Sequence, residues 1–271
     1  MMRKSYAWIL AILIFLVPLC ASSESSATDH YDNARQIADD MEAKYHITIL
    51  IGPECNAFNF DDAHVSLGNE YKKRSIASPL LNMLYEQDYY AYELRLLDKA
   101  LSFYPKGFFD LFFYPYSPDG LRILITNQLT YKGFNPNGIA AYIDNHFCIL
   151  LGAGYYSEKD VHHELWHIIE KRILYYNPKS FEGWSELNPE GIEYTNDYHY
   201  NQEFDPESGL DQYFVMEYST CTEHEDRATI ISALFTKGIE WINEHPVIRE
   251  KLDRMQRAAR PLFGANLYNI Q

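Results

Sequence analysis

The sequence is poor in cysteine and in positive charge, and it has only one long apolar run. Four cysteines in 271 residues, without a CxxC pair, are too few for a disulfide scaffold and do not indicate a zinc ribbon. The 23 Lys and Arg residues against 38 Asp and Glu leave a net charge of −15, which disfavours binding to nucleic acid. Apolar residues make up 47% of the chain, enough to bury a sizeable core, so we expect a folded globular protein.

The one long apolar run, Tyr6–Leu19, stands near the N-terminus behind two basic residues. It is shorter than the roughly 18 residues that a membrane-spanning helix needs, and small and polar residues follow it. We therefore predict a signal peptide at 1–21 and a linker at 22–30, and expect a secreted or extracytoplasmic protein. A retained membrane anchor is one alternative. A lipid anchor at Cys20 is another, although the residue before it is larger than lipoprotein signals prefer.

The rest of the chain predicts a single α+β domain at 31–271. Helical periodicity and apolar runs predict helices at 31–45, 80–104, 222–235 and 246–260, and strands at 47–51, 121–126, 139–143 and 146–151. A further helix should begin near Ser157, because the residues from Ser157 to Asp160 form a capping-box pattern. The Gly-, Asn- and Pro-containing stretch 177–209 predicts a long loop, and such loops are usually functional or mobile.

Two further groups of residues carry structural predictions. Removal of the leader would leave three cysteines, which allow one disulfide in an oxidising compartment, with the pair left open. These are Cys55, Cys148 and Cys221. The basic residues of the last helix predict a solvated face. They are Arg249, Lys251, Arg254, Arg257 and Arg260.

The predicted helix after Ser157 carries an HExxH motif, formed by His163, Glu164 and His167. Four residues are about one helical turn, so both imidazoles leave the same face and can share one Zn²⁺. Glu164 lies beside them, where it can act as general base toward a zinc-bound water. The alternative is a pair of ordinary surface histidines. The neighbouring His162 points about 100° away and is predicted not to be a ligand.

A catalytic zinc site needs a third protein ligand beside an open position. The extended pattern HExxHxxGxxH is excluded, because Glu170 and Ile173 stand where it requires Gly and His. A Glu from a second element is the other common solution, and a rigid helix fixes a ligand better than a loop. The loop candidates are Glu182, Glu186, Glu190 and Glu193, and the favoured helix candidates are Glu223 and Glu225.

A second motif lies at 214–228, with the sequence FVMEYSTCTEHEDRA. It resembles the Tyr…Glu-Asp-x-Ala block of zinc metallopeptidases, many of them secreted or lipid-anchored bacterial proteins, that are similar to the catalytic domain of anthrax lethal factor. Residues 138–142 and 184–189 share the resemblance, as do the N-terminal helix and strand, so it spans nearly the whole mature chain. It implies a zincin-like domain of gluzincin type, with Glu225 as third zinc ligand and Tyr218 stabilising the tetrahedral intermediate.

The motif departs from the family at Thr229, where an acid four residues after the ligand Glu often orients a zinc-bound His. Another group must then orient that His. Other interpretations remain open for both implied residues. Glu225 could be an exposed acid favoured by the helix dipole, and Tyr218 could be an ordinary member of the 23 tyrosines. Neither His224 nor Cys221 is predicted to be a ligand.

Taken together, the motifs predict a secreted zinc metallopeptidase with one Zn²⁺ per chain and a peptide or protein substrate. An inactive zinc-bound surface protein that only binds a partner is one alternative, and a zinc hydrolase of a non-peptide amide is the other. We predict that the substrate extends the sheet along the strand at 146–151. The acidic charge favours a cationic substrate, although it also serves solubility. The sequence does not indicate an oligomeric state.

Overall fold

The computed structural model describes residues 27–57, 65–68, 88–113, 117–198, 204 and 206–264. The predicted signal peptide at 1–21 and Cys20 lie outside these residues. The helices are α1 (Ala27–Tyr45), α2 (Tyr89–Leu101), α3 (Glu158–Tyr176), α4 (Glu223–Thr236), α5 (Gly238–Asn243) and α6 (Pro246–Phe263). The strands are β1 (Thr48–Ile51), β2 (Val65–Gly68), β3 (Leu121–Thr126), β4 (Gln128–Tyr131), β5 (Gly138–Ile143) and β6 (His146–Gly152). The predicted α+β class is confirmed.

Four of the strands form a small mixed sheet in the order β1-β3-β6-β5. β1, β3 and β6 are parallel, whereas β5 pairs antiparallel with β6 through the turn that joins them. Every residue of β6 is buried, as expected for a strand covered on both faces and paired on both edges. β5 is therefore an edge strand of this sheet, and β2 and β4 pair separately.

The central helix α3 packs against β5 and β6 on the sheet and against α4. Its first turn is capped as predicted: the Asp160 carboxylate accepts hydrogen bonds from the backbone N–H and the hydroxyl of Ser157, both at 2.7 Å. Its apolar side chains from Val161 to Ile173 are buried in the main core, so the opposite face is left for polar residues. This arrangement fixes the direction in which the HExxH side chains point.

The structure corrects several predicted boundaries. Helix α1 begins at Ala27, inside the predicted linker 22–30, because no Gly or Pro interrupts the chain before residue 31. Helix α2 ends at Leu101, before the predicted end at residue 104, and residues 80–87 lie outside the described part. Helix α6 continues past Pro261 to Phe263, whose buried ring packs 5.7 Å from that of Phe108.

Strands β2 and β4 and helix α5 were not predicted at all. β2 and β4 are only four residues long and pair with each other, too short for their alternation of apolar and polar residues to stand out in the sequence. Helix α5 is set off from α4 by Gly238, whose φ of +86° suits glycine alone. No helix within the described ranges is long and apolar enough to cross a bilayer.

Candidate metal centre

Three side chains that the sequence predicts as ligands meet at one point. The Nε2 atoms of His163 and His167 lie 3.2 Å apart on one face of α3. The Oε2 atom of Glu225, from the first turn of α4, lies 2.9 Å from Nε2 of His163 and 3.5 Å from Nε2 of His167. Among the described residues, this is the one group of three His, Cys, Asp or Glu side chains arranged to hold a metal ion.

The spacing of these donor atoms fits a small tetrahedral cation. Bonds of about 2.1 Å to a tetrahedral metal separate its ligand atoms by about 3.4 Å. The three separations between donors run from 2.9 to 3.5 Å. Two imidazole nitrogens and one carboxylate oxygen are also the mixed donors that zinc accepts, so the residues present fit the ion.

Glu225 is held as an anion by the two histidines. Burial by itself would raise the pKa of its carboxyl group, but the hydrogen bonds and charges of His163 and His167 outweigh burial and lower it. The backbone of Glu225 is fixed as well, since its N–H donates to Oγ1 of Thr222, the N-cap residue of α4, at 3.2 Å. This candidate ligand therefore lies in a helical turn whose backbone is fixed by its N-cap.

The residue after Glu225 is tied to the last helix. Asp226 is fully buried, and its Oδ2 lies 2.7 Å from Nζ of Lys251 on α6, which is itself fully buried. The same oxygen accepts hydrogen bonds from Nε1 of Trp184 at 3.0 Å and from the hydroxyl of Tyr194 at 2.8 Å. Lys251 is thus not part of a solvated face, and that prediction is wrong for this residue.

The next residue is tied back to the HExxH helix. Nε and Nη2 of Arg227 donate to Oε1 of Glu170 at 3.0 and 2.7 Å, and both residues are almost fully buried. The other carboxylate oxygen of Glu170 accepts from Nε1 of Trp166 at 3.2 Å. Because Glu170 is one turn beyond His167, this ion pair fixes the separation between α3 and the ligand on α4.

Glu164 lies between the two histidines in sequence and faces the edge strand β5. Burial raises the pKa of its carboxyl group to about 8, while the nearby His167 and a hydrogen bond from the backbone N–H of Ala140 act in the opposite direction. A Cβ atom at Gly138 would lie only 2.7 Å from Cγ of Glu164. The absence of a side chain there lets the carboxylate pack against the strand and still border the cleft.

Tyr218 lies in a 3₁₀ turn, Glu217–Thr220, just before α4. Its ring centroid is 6.1 Å from that of His163, and it lines the same cleft as Glu225. Burial, followed by the charges of Glu225 and Glu164, raises the pKa of this hydroxyl well above its usual range. Tyr218 is therefore a neutral hydrogen-bond donor beside the candidate ligands.

Thr229, at the position where the metallopeptidases that the motif resembles often carry an acid, serves this same turn. Its hydroxyl lies 2.8 Å from that of Ser219, and both are buried. The Thr229 hydroxyl also donates to the backbone carbonyl of Asp226 at 2.9 Å. Thr229 thus joins the Tyr218 turn to α4. It offers no carboxylate to either histidine.

The residues predicted not to be ligands lie away from the donor atoms. His162 is buried, stacked on Phe235 with ring centroids 3.8 Å apart, and burial lowers its pKa to about 3. His224 is half exposed and contacts Glu170, and the Cys221 thiol contacts the carbonyl of Asp197. Neither belongs to the ligand group, nor do the remaining candidate acids. Those acids are Glu182, Glu186, Glu190, Glu193 and Glu223.

The three remaining cysteines are free and buried, so the predicted possibility of a disulfide is not realised among them. Burial raises the pKa of each thiol to about 12. Cys55 and Cys148 lie in the small apolar cluster that includes Leu124, Leu129 and Leu150. They therefore act as small apolar core residues.

The candidate metal centre opens into a cleft of about 1420 Å³. The HExxH face of α3 forms one wall, and residues 138–141 of β5 form another. The strand at 146–151, along which the sequence predicted a substrate, is β6, and both of its edges are paired. That prediction is wrong, because strand order cannot be read from the sequence of one strand. The edge strand beside the metal centre is β5.

The site is thus built by α3, the start of α4 and β5, and the sequence had indicated all three candidate ligands. It had not indicated the anchoring residues Glu170, Arg227, Asp226 and Lys251, whose partners are distant in the chain. Comparisons with family models, with curated proteins and with solved structures gave no match, so the interpretation of this site rests on its geometry.

Proposed function

We propose that the protein is a zinc-dependent peptidase with one Zn²⁺ per chain. The observation that carries the proposal is the convergence of His163, His167 and Glu225 beside the buried Glu164, in an open cleft. Catalytic zinc sites combine three protein ligands with an open position, whereas structural zinc sites have four protein ligands. The proposal includes a zincin-like domain of gluzincin type, in agreement with the resemblance of residues 214–228.

Each residue has a distinct role in the proposed hydrolysis. Zinc, when bound, supplies a Lewis acid that polarises the scissile carbonyl and lowers the pKa of a water molecule. Glu164 accepts a proton from that water as its oxygen bonds to the carbonyl carbon, and it donates the proton to the amine nitrogen as the C–N bond breaks. Tyr218 donates a hydrogen bond to the oxyanion that develops on the carbonyl oxygen.

The substrate would lie extended along β5, the edge strand. Its backbone could then form main-chain hydrogen bonds with the strand, which gives affinity that is independent of side chains. This places the peptide across the cleft from α3, with the scissile bond near Glu164, which already contacts β5.

We further propose that the protein is secreted or extracytoplasmic, through the signal peptide at 1–21. N-terminal sequencing and mass measurement of the exported protein test this. A mature chain that begins at Ser22 supports cleavage and release, and a diacylated Cys20 identifies a lipoprotein. A chain that retains residues 1–21 contradicts both.

Elemental analysis of the purified, zinc-incubated protein tests the metal centre. We expect about one zinc per chain in the wild type and a sharp decrease in Glu225→Gln. The matched control is Glu223→Gln, which changes an acid in the same helical turn that pairs with Arg227 outside the ligand group. Equal zinc in the wild type and Glu225→Gln would contradict the assignment of Glu225, and no zinc in the wild type would contradict the proposal.

Digestion of a mixed peptide library, read by mass spectrometry, tests the reaction. The zinc-loaded wild type should cleave peptides, and Glu164→Gln should keep its zinc and lose cleavage by about 10²-fold or more. Zinc binding without any peptide cleavage would instead favour the non-proteolytic binding protein or a hydrolase of non-peptide amides. Equal cleavage by both proteins would identify a contaminating protease.

A further inference from the structure

The cleft contains several exposed lysines, although the protein as a whole is acidic. Four lysines line it in a chain of net charge −15, and all four are exposed. None of them forms an ion pair with a described residue. They are Lys132, Lys159, Lys171 and Lys237.

Lysines elsewhere in the described ranges behave differently. Four of the five outside the cleft pair with a carboxylate within 4.0 Å, and the exception is Lys106. The paired lysines are Lys44, Lys99, Lys179 and Lys251. The unpaired ammonium groups are thus concentrated around the candidate metal centre, where a bound molecule could neutralise them.

Two of these lysines bracket the histidines on the same helix. Lys159, His163, His167 and Lys171 follow one another at four-residue intervals along α3, and all four line the cleft. Each step advances about 6 Å along the helix axis, close to the length of two extended residues. A peptide lying along the cleft therefore passes one lysine on each side of the metal centre.

The environment of Lys171 supports an anionic partner. Its Nζ lies 5.0 Å from the ring centroid of Tyr142 on β5, so the ammonium group stands between α3 and the edge strand. Burial lowers the pKa of this ammonium group, and no carboxylate counters that effect. A carboxylate supplied by a ligand would give it the charge partner that the described residues do not offer.

Acids that line the cleft near these lysines already have partners. Asp160 accepts hydrogen bonds from Ser157 at the start of α3, and Glu170 is paired with the buried Arg227. Neither of these two acids forms an ion pair with a cleft lysine. The ammonium groups of Lys159 and Lys171 therefore remain available on either side of the histidines.

We infer that this cleft selects peptide segments with acidic side chains on both sides of the scissile bond, read by Lys159 and Lys171. The inference rests on the proposed peptidase function and names its substrate class. It also departs from the expectation from total charge, since two exposed lysines flank the candidate ligands in an acidic protein. Complementary charges of this kind act through the rate of encounter and the choice of partner more than through total affinity.

Two peptides of identical length and core sequence test the inference, one with two Glu on each side of the cleaved bond and one with Gln at the same positions. We expect the wild type to cleave the Glu peptide about 10-fold faster in kcat/KM at low salt, because each exposed pair contributes only a few-fold. The Glu/Gln ratio should decrease toward one in Lys159→Gln/Lys171→Gln and at high salt. It should stay at the wild-type value in Lys106→Gln.

Peptide binding to the zinc-loaded Glu164→Gln protein, followed by fluorescence anisotropy, separates this inference from the proposed reaction. Tighter binding of the Glu peptide, lost in the added double lysine substitution, supports the inference even where no peptide is cleaved. Equal binding of the two peptides overturns it, whatever the cleavage assay shows. Equal binding of a single-stranded oligonucleotide of the same charge also overturns it, since the lysines would then attract any polyanion.

Discussion

The two helices that supply the candidate ligands position them in different ways. Helix α3 carries His163 and His167 in its interior, and the turn of the helix alone brings their Nε2 atoms within 3.2 Å. Helix α4 carries Glu225 in its first turn, where a helix offers few hydrogen bonds of its own. Local structure therefore suffices for the first two ligands, whereas the third depends on distant parts of the chain.

Three consecutive residues of α4 connect the third candidate ligand to distant parts of the chain. Glu225 points to the histidines, Asp226 to Lys251 on α6, and Arg227 to Glu170 on α3. Buried ion pairs add little net stability when both partners are present, but loss of one partner is costly. The position of Glu225, the third candidate ligand, therefore depends on contacts of α4 with α3 and α6 that form only in the complete fold.

The largest effect should come from Arg227→Met, which leaves the buried Glu170 carboxylate without its main partner. We expect the free energy of unfolding to decrease by about 3–5 kcal/mol. Urea denaturation of the metal-free protein measures it. A change below about 1 kcal/mol would contradict the role assigned to this pair.

Lys251→Met should be somewhat less harmful, at about 3 kcal/mol, because Asp226 keeps two other hydrogen bonds and can bind a proton. The control Arg260→Met changes an exposed residue of the same helix and should stay within about 0.5 kcal/mol. Zinc affinity should also be lower in Lys251→Met than in the wild type. In a protein that already carries Glu225→Gln, adding Lys251→Met should not lower the zinc affinity further. An equal decrease in both backgrounds would show that Lys251 acts on the site by another route.

Gly138→Ala tests the contact between β5 and the proposed general base. The added methyl group would lie 2.7 Å from Cγ of Glu164, so we expect a loss of about 1–3 kcal/mol in unfolding free energy. Peptide cleavage should decrease while the zinc content stays near the wild-type value, because Glu164 is not a ligand. Unchanged cleavage would contradict the importance of this contact, because Glu164 could then shift away from β5 without loss of activity.

The smallest effects should come from substitutions at the N-caps of α3 and α4. They test most directly whether the two helices position their candidate ligands in different ways. Thr222→Ala and Ser157→Ala should each lower the unfolding free energy by about 1 kcal/mol. Thr222 bonds to the backbone of Glu225, whereas Ser157 is six residues before His163. We therefore expect Thr222→Ala to weaken zinc binding and Ser157→Ala to leave it unchanged. The opposite pattern would contradict the comparison.

The same contrast explains how much could be predicted from the sequence. The spacing of His163 and His167 follows from helical geometry, and the α+β class follows from apolar periodicity. Glu225 was chosen among several acids only through a resemblance, because its position depends on Glu170 and Lys251. Lys251 itself was interpreted as solvated, since its pairing with Asp226 joins residues 25 apart in the chain.

The sheet supplies a second example of what the sequence leaves open. The residues of β5 and β6 were predicted nearly to their observed ends. Their positions in the sheet were not, because strand order depends on β1 and β3, which precede them by long intervals. The substrate strand was therefore assigned to β6, although β5 is the edge strand beside the candidate metal centre.

The central claim is that His163, His167 and Glu225 hold one zinc ion. Anomalous X-ray diffraction at the zinc absorption edge, from crystals of the zinc-loaded protein, tests it most directly. The account predicts a single strong peak about 2.0–2.2 Å from Nε2 of His163, Nε2 of His167 and a carboxylate oxygen of Glu225. A zinc peak coordinated by other residues, or none at these three atoms, would contradict it.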